Sequence, residues 1–320
     1  MEWFVSHQSA LEFWRSAEAK DALALKRLRS KSLPIVTQKT KNLPIGDKCY
    51  LSRPVHLIVG SGNARKVNRE LVCHVDSRLF PNASFVQISP ELIVSSPELC
   101  FVHLAAELSL IELVTLGFEL CGTYRLDKSN TERGFRDDLP LTSVAKLNSY
   151  LYKVPGMKGH KNAHKALHFI TNGSASPMET ILVMLLTLPK TFGGYGLPKP
   201  LLNHQINLPV VVSKTTGKTK YYCDLYWPDQ KVDVEYDSDA YHATPEGVSR
   251  DAIRRNVLAS IGVKVVTVSR IQIVSAIKLC EVAKLLSKLL RVRVGFSSSI
   301  FVSKHNRLRT QLLPKISPHC

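Results

Sequence analysis

Residues Tyr221 to His242, YYCDLYWPDQKVDVEYDSDAYH, constrain this chain more than any other stretch. Two alternating runs, Tyr221–Trp227 and Lys231–Asp237, flank the turn residues Pro228, Asp229 and Gln230, which predicts two strands joined by a short connection. On the second run Val232, Val234 and Tyr236 take one face, and Asp233, Glu235 and Asp237 the other. Asp224, on the first run, can share a face with Glu235 once the two strands pair. Acids in a row on one strand face repel each other, so a cation or bound protons must relieve them. A divalent metal is the simplest such cation.

At 320 residues the chain has room for about two domains of ~150 residues each. A composition of 44% hydrophobic and 22% charged residues, with no low-complexity tract, is that of a folded protein. The net charge of +17 and pI near 9.6 predict an anionic partner, because such an excess costs self-repulsion. The longest apolar run, around Ile181–Leu188, is closed by Pro189 and falls short of the ~20 residues a membrane span needs. The N-terminus lacks the basic start and apolar core of a signal peptide, so a cytoplasmic protein without a membrane partner is expected. Seven scattered cysteines with no C-x-x-C pair predict reduced core thiols rather than a zinc ribbon or a disulfide framework.

Along the chain, residues 8–31 predict one or two short helices. Short β-rich runs follow at His56–Val59, Leu71–Val75, Phe85–Ile88 and Leu92–Val94. Ser96-Pro97-Glu98 then opens a helix expected to run to about Leu116 and to close at Gly117. Residues 1–138 thus form a small α+β domain, ending in a polar loop over 126–138. Residues 139–173 form a basic helical connector, with helices near Thr142–Tyr152 and His160–Thr171. On the second of these, His160, His164 and His168 are spaced for one face, either a metal face or a basic face toward solvent or phosphate.

Ser176-Pro177-Met178-Glu179 is a capping box that opens a buried helix, Met178–Leu188. Extended runs are expected at Leu201–Val212 and Lys220–Trp227, with Thr215-Thr216-Gly217 as the turn between them. After the central stretch come a helix over Val248–Ile261, a strand at Val263–Val268 buried on both faces, and a helix over Ile273–Leu290. Residues 174–295 therefore read as an α/β domain with a mixed central sheet flanked by helices. Residues 296–320 read as a basic, poorly ordered tail, part of which can dock.

Taken together, S-P-M-Glu179, C-Asp224-L-Y-W, V-Glu235-Y-Asp237, His242, Asp251-x-x-Arg254-x-x-x-Leu258-x-x-x-Gly262 and V-K-V-V-T-V resemble the very-short-patch-repair-endonuclease-like branch of the PD-(D/E)XK nuclease superfamily. The resemblance covers about residues 170–290, and the first half of the chain matches no motif. It implies a restriction-endonuclease-like domain that hydrolyses DNA phosphodiester bonds in repair or defence. It further implies that Asp224 and Glu235 hold Mg²⁺ (or Mn²⁺), with the backbone carbonyl of Tyr236 as a further ligand. Glu179 corresponds to the acid that helps organise metal and water, and His242 to a histidine acting as acid or base near the phosphate. Asp251 and Arg254 correspond to a helix pair beside the site, with Arg255 the neighbouring choice for a phosphate contact. Two positions depart from the pattern: Asp237 stands at the motif's lysine, and Ser238 stands where a glycine usually follows.

Each residue also has a plainer role open to it. Glu179 is the N3 member of a capping box, Asp251 with Arg254 or Arg255 is an ordinary helix ion pair, and Asp233 reads as a solvated strand residue. A DNA-binding regulator or antitoxin-like protein with an inactive nuclease fold would show the same charge, and charge does not separate DNA from RNA.

Overall fold

The computed structural model describes residues 2–22, 25, 27–29, 33, 51–64, 67–237, 245–295 and 298–313. His242 and Ser238 lie outside the described residues, as does the side chain of Asp251. The chain divides into two units, one comprising Met1–Cys121, Arg125–Asn130 and Arg136–Ile170, the other Gly122–Tyr124, Thr131–Phe135 and Thr171–Cys320. The basic helices expected as a connector therefore belong to the first unit.

Unit 1 is built on a mixed five-stranded sheet of β1 (Trp3–Val5), β2 (Val55–Val59), β3 (Leu71–Val75), β4 (Phe85–Gln87) and β5 (Leu92–Ser95), in the order β3-β2-β1-β5-β4. The central strand is only three residues long, too short for any alternation to announce it. Its side chains are nonetheless fully buried, because it pairs antiparallel with β2 and parallel with β5. Helix α1 (His7–Arg15) follows directly. Arg15 clamps buried Glu119 with two nitrogens, Nε to Oε1 at 2.8 Å and Nη2 to Oε2 at 2.6 Å.

Ser96 caps the next helix as its sequence predicts, its hydroxyl accepting from the Leu99 N–H at 3.2 Å. The single helix expected beyond it is two, α2 (Pro97–Leu104) and α3 (Leu110–Cys121). The break holds because its loose ends are satisfied. Asn162 Nδ2 donates to the carbonyls of Ala105 and Leu108, and Ser109 and Glu112 cap each other reciprocally. Gly117 does not close a helix; it lies inside α3, where a Cβ would stand 2.1 Å from Ile170 Cδ1. The stretch expected as a loop over 126–138 is bounded by short strands, Tyr124–Leu126 and Phe135–Asp137. Helices α4 (Val144–Lys153) and α5 (His160–Leu167) complete the unit, and His164 on α5 and His168 at its C-cap are exposed.

In unit 2, α6 (Pro177–Thr187) is buried at every position from Met178 to Leu186, as an all-round apolar helix must be. It precedes β6 (Leu201–Asn207), α7 (Val210–Thr216), β7 (Lys220–Trp227), β8 (Val232–Asp237), α8 (Pro245–Ser260), β9 (Lys264–Ser269), α9 (Ala276–Leu289) and α10 (Ser299–Leu312). The four-stranded sheet has the order β9-β8-β7-β6, with β6, β7 and β8 antiparallel in turn and β9 parallel to β8.

Three expectations are corrected here. Residues 210–216 are helical rather than extended, since Pro209 fixes the start and Gly217, at φ +68°, forms the cap. Strand β9 is an edge strand, so Lys264 is exposed and Val265 and Val266 only half-buried, not enclosed on both faces. The segment expected as a loose tail contains α10, capped by Ser298 and docked through buried Phe301, Leu308 and Leu312. His305 Nδ1 lies 2.7 Å from the Gly193 carbonyl, and Arg309 Nη1 donates to the Ile273 carbonyl at 2.9 Å. Among the described residues no helix is long and apolar enough to cross a membrane. Cys73, Cys100, Cys121, Cys223 and Cys280 are free thiols.

Candidate active site

The alternation of the central stretch puts its acids on two neighbouring strands. The β7–β8 register runs Val232↔Trp227, Asp233↔Tyr226 and Val234↔Leu225, so Asp233 lies within the paired part of the inner strand β8 and Glu235 just beyond it. Beyond Val234 the backbone ladder gives way: the Tyr236 N–H donates to Asp224 Oδ2 at 2.9 Å. The group that Asp224 meets on Tyr236 is thus the amide rather than the carbonyl. On the other side of β7 the register passes from Leu202↔Leu225 to His204↔Cys223, with Asn203 between them in left-handed backbone at φ +46°.

One donor atom each of Cys223, Asp233 and Glu235 lie within 4.8 Å of one another. Asp233 was expected to be solvated. It is completely buried, and neither carboxylate oxygen has a hydrogen-bonding donor. Burial is the first cause that raises the carboxyls of both Asp233 and Glu235; their contact raises Glu235 further and lowers Asp233. Two carboxylates this close cannot both stay ionised in a poorly solvated place, so the pair shares a proton. Arg254, on α8, places Nη2 2.6 Å from Glu235 Oε1, and the same nitrogen meets the Tyr222 carbonyl. That guanidinium favours the ionised form of both acids, but burial and the Asp233 contact still leave Glu235 raised to about 9.

Asp224 is half-buried, and its carboxyl is pushed up to about 8, first by burial and then by the charges of Glu235 and Glu179. Glu179 therefore belongs to the same electrostatic neighbourhood, although its hydrogen bonds are those of a cap. Its Oε2 accepts from the Ala175 N–H at 2.9 Å and from Asn203 Nδ2 at 2.8 Å, and Oε1 accepts from the Ser176 hydroxyl at 3.1 Å. Burial raises its carboxyl despite these donors. Burial also raises the Cys223 thiol far above its ordinary value, with Asp233 adding to the effect. The sulfur is therefore a protonated thiol beside the acids.

Asp237 ends β8 opposite Ser269 of β9 and is half-buried, outside the Cys223–Asp233–Glu235 cluster. Arg255, next along α8, is exposed. Neither Asp233 nor Cys223 was singled out as a site residue. Alternation assigns Cys223 to the face opposite Asp224, and nothing in the spacing signals how deep Asp233 sits. The row of three acids was the available signal for Asp233.

Comparison of the chain with protein-family models, with curated proteins and with solved structures returned no match.

Proposed function

We propose that unit 2 is a divalent-metal-dependent endonuclease domain that hydrolyses DNA phosphodiester bonds. One observation carries the reading: Asp233, Glu235 and Cys223 converge beside Asp224, and the two buried carboxylate oxygens of Asp233 have no hydrogen-bond partner. Carboxylates raised by burial and by one another form a place that a hard cation relieves. The helix, three antiparallel strands, crossover helix and parallel strand of this unit are in keeping with a restriction-endonuclease-like core. The net charge of +17 supports an anionic polymer as partner.

Asp224, Glu235 and Asp233 are the residues that would hold Mg²⁺ or Mn²⁺; carboxylate donors fit either ion. When bound, such a metal supplies an acidified water and offsets charge on the scissile phosphate. The rest falls to the chain. Glu179 fixes the start of α6 and, through Asn203, the left-handed turn beside Asp224. Arg254 pairs with Glu235 and holds its carboxyl in place, and exposed Arg255 offers a phosphate contact.

The test is nicking of supercoiled, linear duplex and single-stranded DNA, with RNA as a further arm, by wild type and Glu235→Gln in Mg²⁺ or Mn²⁺. Metal-dependent cleavage that the variant lacks is expected; equal inactivity of both on every substrate removes the proposal.

The Arg254–Glu235 ion pair favours a second reading. A guanidinium already serving as the cation at Glu235 suits a DNA-binding regulator whose nuclease-type fold does not turn over. Calorimetry separates the two: salt-sensitive DNA binding without Mg²⁺ or Mn²⁺ uptake selects the regulator.

A further inference from the structure

Unit 1 gathers four imidazoles and a carboxylate that the reading of unit 2 leaves unused. His7 opens α1, His56 lies on β2, His74 on the neighbouring β3, and His103 near the end of α2, with Glu107 just beyond it. The His7 and His74 rings stack with centroids 3.5 Å apart, and those of His7 and His103 with centroids 4.3 Å apart. His56 Nδ1 and His74 Nε2 are 3.0 Å apart. One donor atom each of His7, His74 and Glu107 lie within 4.8 Å of one another. His103 is only 5% exposed, and neither of its ring nitrogens has a hydrogen-bond partner.

Packing alone does not account for these side chains. A buried imidazole with both nitrogens unsatisfied loses its hydration and gains nothing that a leucine or phenylalanine would not supply. Burial first, then the neighbouring imidazoles, drives His7 far below its ordinary value, and burial drives His103 down to about 3. Imidazole binds metals in its neutral form. Glu107 brings the one carboxylate, and it is exposed, so the cluster reaches the surface on that side.

We propose that His7, His74 and Glu107 form a binding site for a borderline divalent transition-metal ion of the zinc type, with His103 as a third imidazole beside them. Two imidazoles and a carboxylate suit zinc, cobalt or nickel, and discriminate against the magnesium expected at an all-carboxylate site. The site is distinct from the acid cluster of unit 2 and stands or falls independently of it. Sequence spacing hides it, because its ligands come from two helices, a strand and a connection far apart in the chain. The regularly spaced His160, His164 and His168 lie on α5 and its C-cap, and the latter two are exposed.

The experiment is a cobalt(II) titration of the full chain after chelator treatment, followed by visible absorption and calorimetry. It is run in a Glu235→Gln background so that the unit 2 cluster has lost a donor. The expected result is one equivalent taken up, with ligand-field bands that zinc abolishes and magnesium leaves untouched. Adding Glu107→Gln, a change at an exposed side chain that should leave the far-ultraviolet circular dichroism intact, weakens binding by about tenfold or more, and His74→Ala removes it. No uptake in the Glu235→Gln background overturns the site. So does uptake that Glu107→Gln and His74→Ala leave unchanged.

Discussion

Arg254 Nη2 sits 2.6 Å from Glu235 Oε1 and, from the same nitrogen, reaches the carbonyl of Tyr222 on the adjoining strand. One guanidinium thus ties α8 to both strands that carry the acids. The side chains are 30% and 15% exposed, between the surface pairs that contribute little and the buried pairs whose breakage is costly.

Arg254→Ala should therefore destabilise the chain by about 1–3 kcal/mol, because it strands a half-buried carboxylate and a strand carbonyl. Urea unfolding measures this, and added Mg²⁺ should restore part of the loss. An unchanged midpoint would mean that the pair has no structural weight.

Asp233→Asn should act in the opposite direction. The amide keeps the shape of the side chain, donates to Glu235 and removes a buried acid that has no donor of its own. The metal-free protein should gain about 1 kcal/mol at pH 8 while losing Mg²⁺ affinity, a trade of stability against function. Thermal unfolding with and without Mg²⁺ checks both halves, and a loss of stability without metal counts against the shared-proton pair.

Asp224 sets a pH dependence whose sign follows from the direction of its shift. Its ordinary value is 3.8 and its folded value about 8, so the folded chain keeps a proton that the unfolded chain has released. Stability due to this group is full below about pH 4, falls as pH rises, and is lost above about pH 8. Wild type without metal should lose stability across that window, and Asp224→Asn should flatten the slope. A wild-type curve that is no steeper than the variant's would refute the shift.

Leu308→Ala tests whether the last helix belongs to the unit 2 core. Leu308 is 1% exposed, so its truncation should cost about 2–5 kcal/mol. Substitutions on a loosely held tail stay within about 0.5 kcal/mol, and chemical denaturation distinguishes the two outcomes.

The elements that sequence located best were those whose local and long-range demands agree. Val55–Val59, Leu71–Val75 and Leu92–Ser95 alternate between turn residues, and Ser96 and Ser176 announce helix starts that the structure caps as expected. Where neighbours decide, local pattern misled. Val210-Val211-Val212 has the β-branching of a strand yet forms α7 between Pro209 and Gly217. The run Val263–Val268 has the composition of an interior strand yet lies at an edge. At the acids, alternation placed Asp233 and Glu235 on one face but carried no information about depth. It also assigned Cys223 to the opposite face, although its sulfur joins the cluster.

The bond from the Tyr236 amide to Asp224 gives a side chain the place a strand carbonyl would otherwise hold. An ionised carboxylate accepts that proton better than a neutral acid does, so the ionisation of Asp224 and the protection of one backbone amide rise and fall together. Amide hydrogen exchange at Tyr236 thereby becomes a reporter of what occupies Asp224. It reads protons and cations alike, without requiring any turnover.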